Sequence, residues 1–289
     1  MLSTAPEGQK VRAAIIGGSG YTGGELLRLL LGHPKMEVVQ ITSRSHLGEY
    51  AYQVHPNLRK QTALKFSDPE QLSEVDVLFL ALPHGQAQHK IEQYARVAPY
   101  IVDLSADFRL RSPQEYERWY GSPHAAPEWL DRFVYGLPEL HRQELRSAHY
   151  VSGVGCNATA SNLALLPLVQ AGLLDDSQPV IVEIKVGSSE SGAEGNAGSH
   201  HPERSGVIRT FSSFGHRHTG EVMQELHLTK VSLTMTSVDL VRGALATVHG
   251  TVRPGVQTKD LWKAYRGVAS ENPFVRVVKE QRGIYRVPE

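Results

Sequence analysis

The run IIGGSGYTGGEL, from Ile15 to Leu26, constrains the fold of this chain more than any other stretch. It closes a short apolar run, Val11 to Ile16, and opens into leucines at helical spacing from Glu25 to Leu31. Within this strand-turn-helix context Gly18, Gly20 and Gly23 stand at G-x-G-x-x-G spacing. The first glycine permits a tight turn, the second lets backbone approach a pyrophosphate, and the third lets helix and strand pack closely. Unpaired N–H groups at the helix start attract the anion. Gly18, Ser19, Gly20, Tyr21, Thr22 and Gly23 are therefore expected to cradle a dinucleotide, against the plainer reading of a glycine-rich turn.

Further apolar runs lie at Met36–Ile41, Val75–Leu82 and Tyr100–Leu104, and Gln86–Val97 reads as a helix between the last two. Strands alternating with helices imply right-handed crossovers and a parallel sheet covered on both faces. This predicts an α/β chain whose first domain, residues 1–155, is doubly wound and Rossmann-like. The second half has a different pattern. Asn157–Ala171 reads as a helix stopped by Gly172, followed by long β-rich runs at Val180–Val186, Val231–Val241 and Ala244–Val252. That predicts an α+β domain over 156–289, with a largely antiparallel sheet and a helix on one face. Between its strands, Gly187–His218 is rich in Gly, Ser and His, and a connection of that length is usually functional or mobile.

Composition narrows the function classes. The 289 residues suit two domains better than one. With 30 basic and 30 acidic side chains the chain has no global field to draw it to nucleic acid or a membrane surface. A single cysteine excludes an internal disulfide and fits a reducing compartment. No apolar run approaches the ~20 residues that span a bilayer. The opening MLSTAPEGQK lacks the apolar core of a signal peptide and reads as a frayed terminus. The expectation is a soluble, cytoplasmic protein.

Four loops carry the candidate chemistry. After the second strand, ITSRSH stands where an NAD enzyme usually has an acid for the ribose 2′-hydroxyl. Ser43, Arg44 and Ser45 suit a 2′-phosphate instead, which favours NADP. After the third strand, ALPHGQA offers Leu82, Pro83 and His84 to the cofactor, or simply turns the chain. DLSADFRL follows the fourth strand, and Arg109 in it is either a holder of a substrate carboxylate or a loop arginine. GVGCNATA then places the lone cysteine, Cys156, at the start of the next helix. There the helix dipole favours the thiolate, Gly155 removes bulk beside the sulfur, and Asn157 or nearby N–H groups suit an oxyanion. In FGHRHTGEVMQEL, His216 and His218 share a side of an extended segment, and Glu221 is placed to orient one imidazole. The same histidines with His200 or His201 offer a zinc site as a rival reading.

Read together, GGSGYTGGEL, TSR, ALPHG, DLSADFRL, YGLPEL, GCNATA, HRHTGEVMQEL and VRGALATV occur in order along nearly the whole chain. In these motifs the sequence resembles the N-acetyl-γ-glutamyl-phosphate reductases and their relatives in lysine biosynthesis. The resemblance implies a homo-oligomeric reductase that uses NADPH to turn an acyl phosphate into a semialdehyde through a cysteine thioester, with no metal. It makes Cys156 the nucleophile and His218 the general acid/base, supported by His216 and Glu221. Arginine-pathway members usually read GCYPTA and have an SGAGR-like loop. Here GCNATA and the longer SSESGAEGNAGSHHPERSG look like the lysine-pathway branch, whose substrate, 2-aminoadipate 6-phosphate, is attached to a small acidic carrier protein. His200, His201, Arg204 and Arg209 are expected to meet that carrier or its cargo, and the arginine-pathway substrate stays open. Family members generally continue past the point where this sequence ends, at GIYRVPE, with a strand and a glycine-containing helix that return to the nucleotide domain. A chain lacking that return is expected to lack part of the sheet and cofactor site, which leaves open a non-catalytic nucleotide- or carrier-binding remnant.

Overall fold

The apolar runs of the first half become one parallel sheet in the computed structural model, which describes residues 9–278. The chain divides into two units, one ending at Val154 and the other beginning at Gly155. In unit 1 the strands are β1 (Val11–Ile16), β2 (Met36–Thr42), β3 (Phe66–Ser67), β4 (Val77–Leu80), β5 (Tyr100–Asp103), β6 (Phe133–Tyr135) and β7 (Tyr150–Ser152). They run in the order β3-β2-β1-β4-β5-β7-β6, every pair parallel. The connections carry helices α1 (Tyr21–Leu31), α2 (Ala51–Val54), α3 (Ile91–Val97), α4 (Pro113–Tyr120) and α5 (Pro138–Leu145). Because β-strand side chains alternate, Ala13 and Ile15 join Leu27, Ile41 and Phe79 in one core layer. Ala14 and Ile16 join Leu78, Leu80, Ile101 and Phe108 in the other. Both faces are buried, so these strands read as continuous apolar runs without a polar period.

The order reverses between β1 and β4, the place where such sheets open a ligand crevice at their carboxyl ends. Gly17 fits the turn there. Its φ is +78°, and a Cβ on it would overlap the carbonyl oxygen of Ala81 beyond β4. Gly17→Ala is expected to destabilise unit 1 by about 2–4 kcal/mol, combining left-handed strain with backbone overlap. Urea unfolding with an unchanged midpoint would count against this.

The helix predicted over Gln86–Val97 is broken into a 3₁₀ turn, Ala87–His89, and α3, with Lys90 non-helical between them. The cause is tertiary: the Gln88 N–H is drawn to the Asp107 carboxylate at 3.0 Å.

Unit 2 contains α6 (Cys156–Gln170), β8 (Val180–Val186), α7 (His201–Arg204), β9 (Arg209–Ser212), α8 (His218–Leu226), β10 (Val231–Ser237), β11 (Ala244–His249) and α9 (Thr258–Glu271). Its sheet order is β11-β8-β10-β9. Val180, Val182, Ile184 and Val186 point inward while Ile181 and Glu183 face out, a clean period of two. Each such buried apolar side chain contributes about 1.5–3 kcal/mol. Two of the three pairings are antiparallel, as expected, but the central pair β8–β10 is parallel. A parallel neighbour needs a long crossover, usually helical, and the chain from Gly187 to Lys230 supplies one that includes α8. The long loop thus has structure of its own, α7 and β9, which Gly and Ser content concealed. The expectations about the first residues and the C-terminal return concern positions outside the described residues.

Candidate active site

In unit 1 the glycine motif is displaced by one position from its expected roles. The positive-φ turn belongs to Gly17, not Gly18, which instead lies flat against the Ile41 side chain. Gly23 packs α1 on the loop, since its Cβ would stand 2.5 Å from the Gly17 oxygen. Gly20 differs from both, because a Cβ there would meet nothing nearer than the Gly17 oxygen at 3.9 Å. Glycine at position 20 therefore keeps open space above the loop. Gly20 also precedes α1, whose first turn has neither a side-chain cap nor an acid. Open approach and uncompensated N–H groups fit a dinucleotide phosphate. Tyr21 and Thr22, in that first turn, are exposed.

The other cofactor candidates border this loop. Ser43 Oγ donates to Ser19 Oγ at 2.9 Å and lies 3.3 Å from Ser45 Oγ, tying the end of β2 to the glycine loop. Arg44 is exposed and pairs with Glu70 at 3.0 Å, which Lys90 also contacts. Those bonds, from Lys90 first and Arg44 second, hold the Glu70 carboxyl below its ordinary range. His55 was missed by sequence reasoning. Its Nε2 bonds the Gly18 oxygen at 2.8 Å and its ring fills the space beside Gly24. The second GG pair was the only local signal for it.

Beyond β4, Leu82, Pro83 and His84 lead into Gly85 at φ +84°. Asp107, wholly buried, gathers this turn by accepting from Gly85 N at 2.6 Å and Gln88 N at 3.0 Å, with His84 Nδ1 at 3.0 Å. Burial alone would raise the Asp107 carboxyl, but the bonds from His84, Gln88 and Gly85 outweigh it and hold the group low. Arg109 is 8% exposed, and its guanidinium donates to the carbonyls of Gly153 at 2.8 Å and Leu104 at 3.4 Å. It braces backbone in unit 1, a scaffold role that the loop reading had not given it.

Asp103, at the end of β5, is fully buried on Ser105, and burial pushes its carboxyl up to about 7. The unfolded chain releases this proton near pH 4, whereas the folded chain keeps it until about pH 7. Unit 1 should therefore lose stability as pH rises through that window. Asp103→Asn is expected to flatten this part of the stability–pH curve, and an identical slope in the variant would exclude the assignment.

In unit 2, Gly155 caps α6 and Cys156 is its first residue, exposed, with no acid in the first helical turn. Glu221 of α8 is wholly buried and accepts the Gly155 N–H at 2.9 Å through Oε2. Its Oε1 lies 3.8 Å from Nε2 of His218, too far for a hydrogen bond and suited to an ion pair with the imidazolium. A Cβ at Gly155 would stand 2.6 Å from Glu221 Oε1 and 2.7 Å from His218 Nε2. The bare glycine is thus what lets the two helix ends meet, bringing Cys156, His218 and Glu221 into one cluster.

His216 joins this cluster edge-on, its ring centroid 4.6 Å from that of His218. Its Nδ1 accepts the His218 N–H at 3.2 Å, which leaves that nitrogen without a proton. Burial, then the charge of Arg217, pushes His216 down to about 4, against a smaller upward pull from Glu221. His216 is therefore a neutral support at physiological pH. Arg217, exposed beside it, was not singled out from sequence.

The remaining nominated residues are dispersed. Asn157 is 1% exposed, and its amide donates to Glu190 in the 3₁₀ turn after β8, so its side chain links elements. His200 and His201 are exposed at the start of α7, and Arg209 is exposed on β9. Arg204 is buried and donates to Ser237 Oγ and to the Val238 carbonyl at 2.8 Å, anchoring α7 to the end of β10. That corrects its expected exposure to a carrier: a guanidinium spent on strand-end acceptors is scaffold. Among the described residues no three His, Cys, Asp or Glu side chains converge as a metal site. No helix among them is long and apolar enough to cross a membrane.

A parallel nucleotide-type sheet, followed by a unit that presents a thiol with a histidine–glutamate pair, is the layout of a reductase working through an acyl-enzyme. Two family models match: "Semialdehyde dehydrogenase, NAD binding domain" over residues 12–148 and "Semialdehyde dehydrogenase, dimerisation domain" over 156–288. The chain belongs to the semialdehyde dehydrogenase family of nicotinamide-dependent oxidoreductases, within the branch of carrier-linked aminoadipate phosphate reductases that its motifs resemble. It is 49% identical over 282 residues to the LysW-L-2-aminoadipate 6-phosphate reductase of Deinococcus radiodurans, covering 97% of this chain and 81% of that one. A Thermomicrobium roseum protein given the same name provisionally is 55% identical over 283 residues, covering 96% and 80%. Among solved structures, aspartate semialdehyde dehydrogenase II of Vibrio cholerae superposes with a TM-score of 0.67 at 13% identity, over 90% of this chain and 80% of that one. The Candida albicans enzyme with NADP gives 0.58 at 14% identity, over 89% and 76%. These structural likenesses show a shared fold.

Proposed function

We propose that this chain catalyses the NADPH-dependent reduction of 2-aminoadipate 6-phosphate, held on the amino-group carrier protein LysW, to the semialdehyde in lysine biosynthesis. The observation that carries the reading is the meeting of Cys156, His218 and Glu221 around Gly155. The Cys156 thiolate attacks the acyl carbon, forming the C–S bond as the C–O bond to phosphate breaks and inorganic phosphate leaves. The nicotinamide cofactor, when bound, supplies the hydride that reduces the thioester. His218 protonates the developing oxyanion, then takes that proton back as the hemithioacetal hydroxyl becomes the aldehyde carbonyl and the C–S bond breaks to regenerate the thiolate. Glu221 favours the charged imidazole, and N–H groups at the start of α6 stabilise the tetrahedral oxygen.

The cofactor would rest on Gly17–Gly23, Ser43–Ser45 and the Leu82–His84 turn. Preference for NADP is supported by Arg44 and its serine neighbours, with no acid at the end of β2. Arg44→Ala is expected to raise the KM for NADPH about tenfold and leave that for NADH nearly unchanged. Equal effects on both would remove Arg44 from cofactor choice. His200, His201 and Arg209 are the groups best exposed to meet an acidic carrier, and the dimerisation-domain match supports a homo-oligomer. A second substrate, the glutamate analogue, is favoured by relatives such as one from Haloquadratum walsbyi. That protein is 50% identical and is named provisionally for both LysW-aminoadipate and LysW-glutamate phosphates.

The test runs the reaction in reverse, with phosphate, NADP⁺ and one of three aldehydes: LysW-linked aminoadipate semialdehyde, its glutamate analogue, or free N-acetylglutamate semialdehyde. Turnover confined to carrier-linked aldehydes supports the proposal. Preference for the acetylated one would transfer the chain to the arginine pathway, and no turnover with any would support a binding remnant.

A further inference from the structure

The glycine loop and Arg44 account for the phosphate-bearing side of the dinucleotide, but they leave the buried carboxylate of Asp107 without a part in its recognition. We propose that Asp107 is a positioning residue for His84, holding its Nδ1–H so that Nε2 is presented as an acceptor to a ribose hydroxyl on the nicotinamide side of the cofactor. This rests on the reading of unit 1 as the dinucleotide domain.

A carboxylate only accepts, so the contact between His84 Nδ1 and Asp107 Oδ1 at 3.0 Å puts the hydrogen on Nδ1. In the neutral ring Nε2 is then left as an acceptor, the logic by which a carboxylate fixes a histidine tautomer. A phosphate oxygen cannot donate to it, whereas a ribose hydroxyl can. The ring is also restrained from the side, since the Tyr120 centroid lies 4.4 Å away and Tyr116 stacks behind Tyr120 at 4.7 Å. Asp107 is itself immobilised, being wholly buried and bonded to the Gly85 and Gln88 N–H groups. His84, by contrast, keeps 31% of its side chain exposed, so the restrained ring still has a free edge.

Position in the fold supplies the ligand side. A doubly wound sheet binds one mononucleotide over each half, on either side of the point where the strand order reverses. Here the glycine loop ends β1, and the His84 turn ends β4, the first strand of the other half. The two loops touch, since the Ala81 carbonyl is what a Cβ on Gly17 would strike. A group at the end of β4 therefore faces the nicotinamide ribose and not the adenine end.

The experiment measures binding of NADPH and of 2′,5′-ADP, which has the adenosine half alone, to the wild type, His84→Phe, Asp107→Asn and the double variant. Phenylalanine keeps a ring beside Tyr120 and removes the ring nitrogens, which guards against a misfolded Asp107→Asn. Each single variant is expected to bind NADPH about tenfold more weakly, the scale of one lost hydrogen bond, with 2′,5′-ADP unchanged. The double variant should be no worse than His84→Phe, since Asp107 acts through that ring. Equal loss of both ligands would make the pair structural and overturn the proposal, as would unchanged NADPH binding in His84→Phe. A wild-type chain that binds neither ligand would overturn the reading of unit 1 itself.

Discussion

Cys156→Ser abolishes reductive turnover, by a factor on the order of 10⁴ or more, while leaving the fold intact. The side chain is exposed at the first position of α6, so exchanging sulfur for oxygen opens no cavity. The loss comes from chemistry. A helix N-terminus without an acid in its first turn raises the population of a thiolate, but it cannot bring a serine hydroxyl near neutral titration. The hydroxyl would need its proton removed during attack, a step that a thiolate does not require. Turnover is followed with carrier-linked semialdehyde, phosphate and NADP⁺, alongside intact mass of the protein mixed with acyl phosphate. A thioester adduct on the wild type and none on the variant is the expected pair. A variant retaining a tenth of wild-type turnover would end the covalent mechanism.

Gly155→Ala has the second largest effect, a loss of about 10²–10³-fold in kcat/KM. The added methyl would lie 2.6 Å from Glu221 Oε1 and 2.7 and 2.8 Å from the His218 ring. Both neighbours are buried, so neither can swing into solvent. Either α8 withdraws from α6 or the imidazole turns away, and each separates the acid/base from the sulfur. Thiol alkylation by iodoacetamide should change much less than turnover, because Cys156 keeps its helix end. Parallel losses in both would instead mean that the methyl unfolds the start of α6.

The alternation of apolar runs made unit 1 legible because both faces of its sheet are buried, and Val11–Ile16 needs no context to read as a central strand. Short β3 and β6 were silent, being two and three residues with no period to detect. The proposed nucleophile and its partners are nominated by residue chemistry around Cys156 and His218. Their assembly is not, since it depends on Gly155 lacking a Cβ opposite a carboxylate that lies 66 residues away in sequence. The bonds of two arginines were hidden for a related reason. Arg109 and Arg204 donate to strand-end carbonyls, and those carbonyls have no sequence signature.

The parallel pairing of β8 with β10 also orders events in time. His218 and Glu221 ride on the crossover that this pairing requires, whereas Cys156 sits at the head of a local helix. Closing a long crossover costs chain entropy before any strand contact repays it, so such pairings form late in folding. On the proposed roles, a newly made chain is expected to display its thiol before its proton donor, so that acyl acceptance would mature ahead of the full cycle.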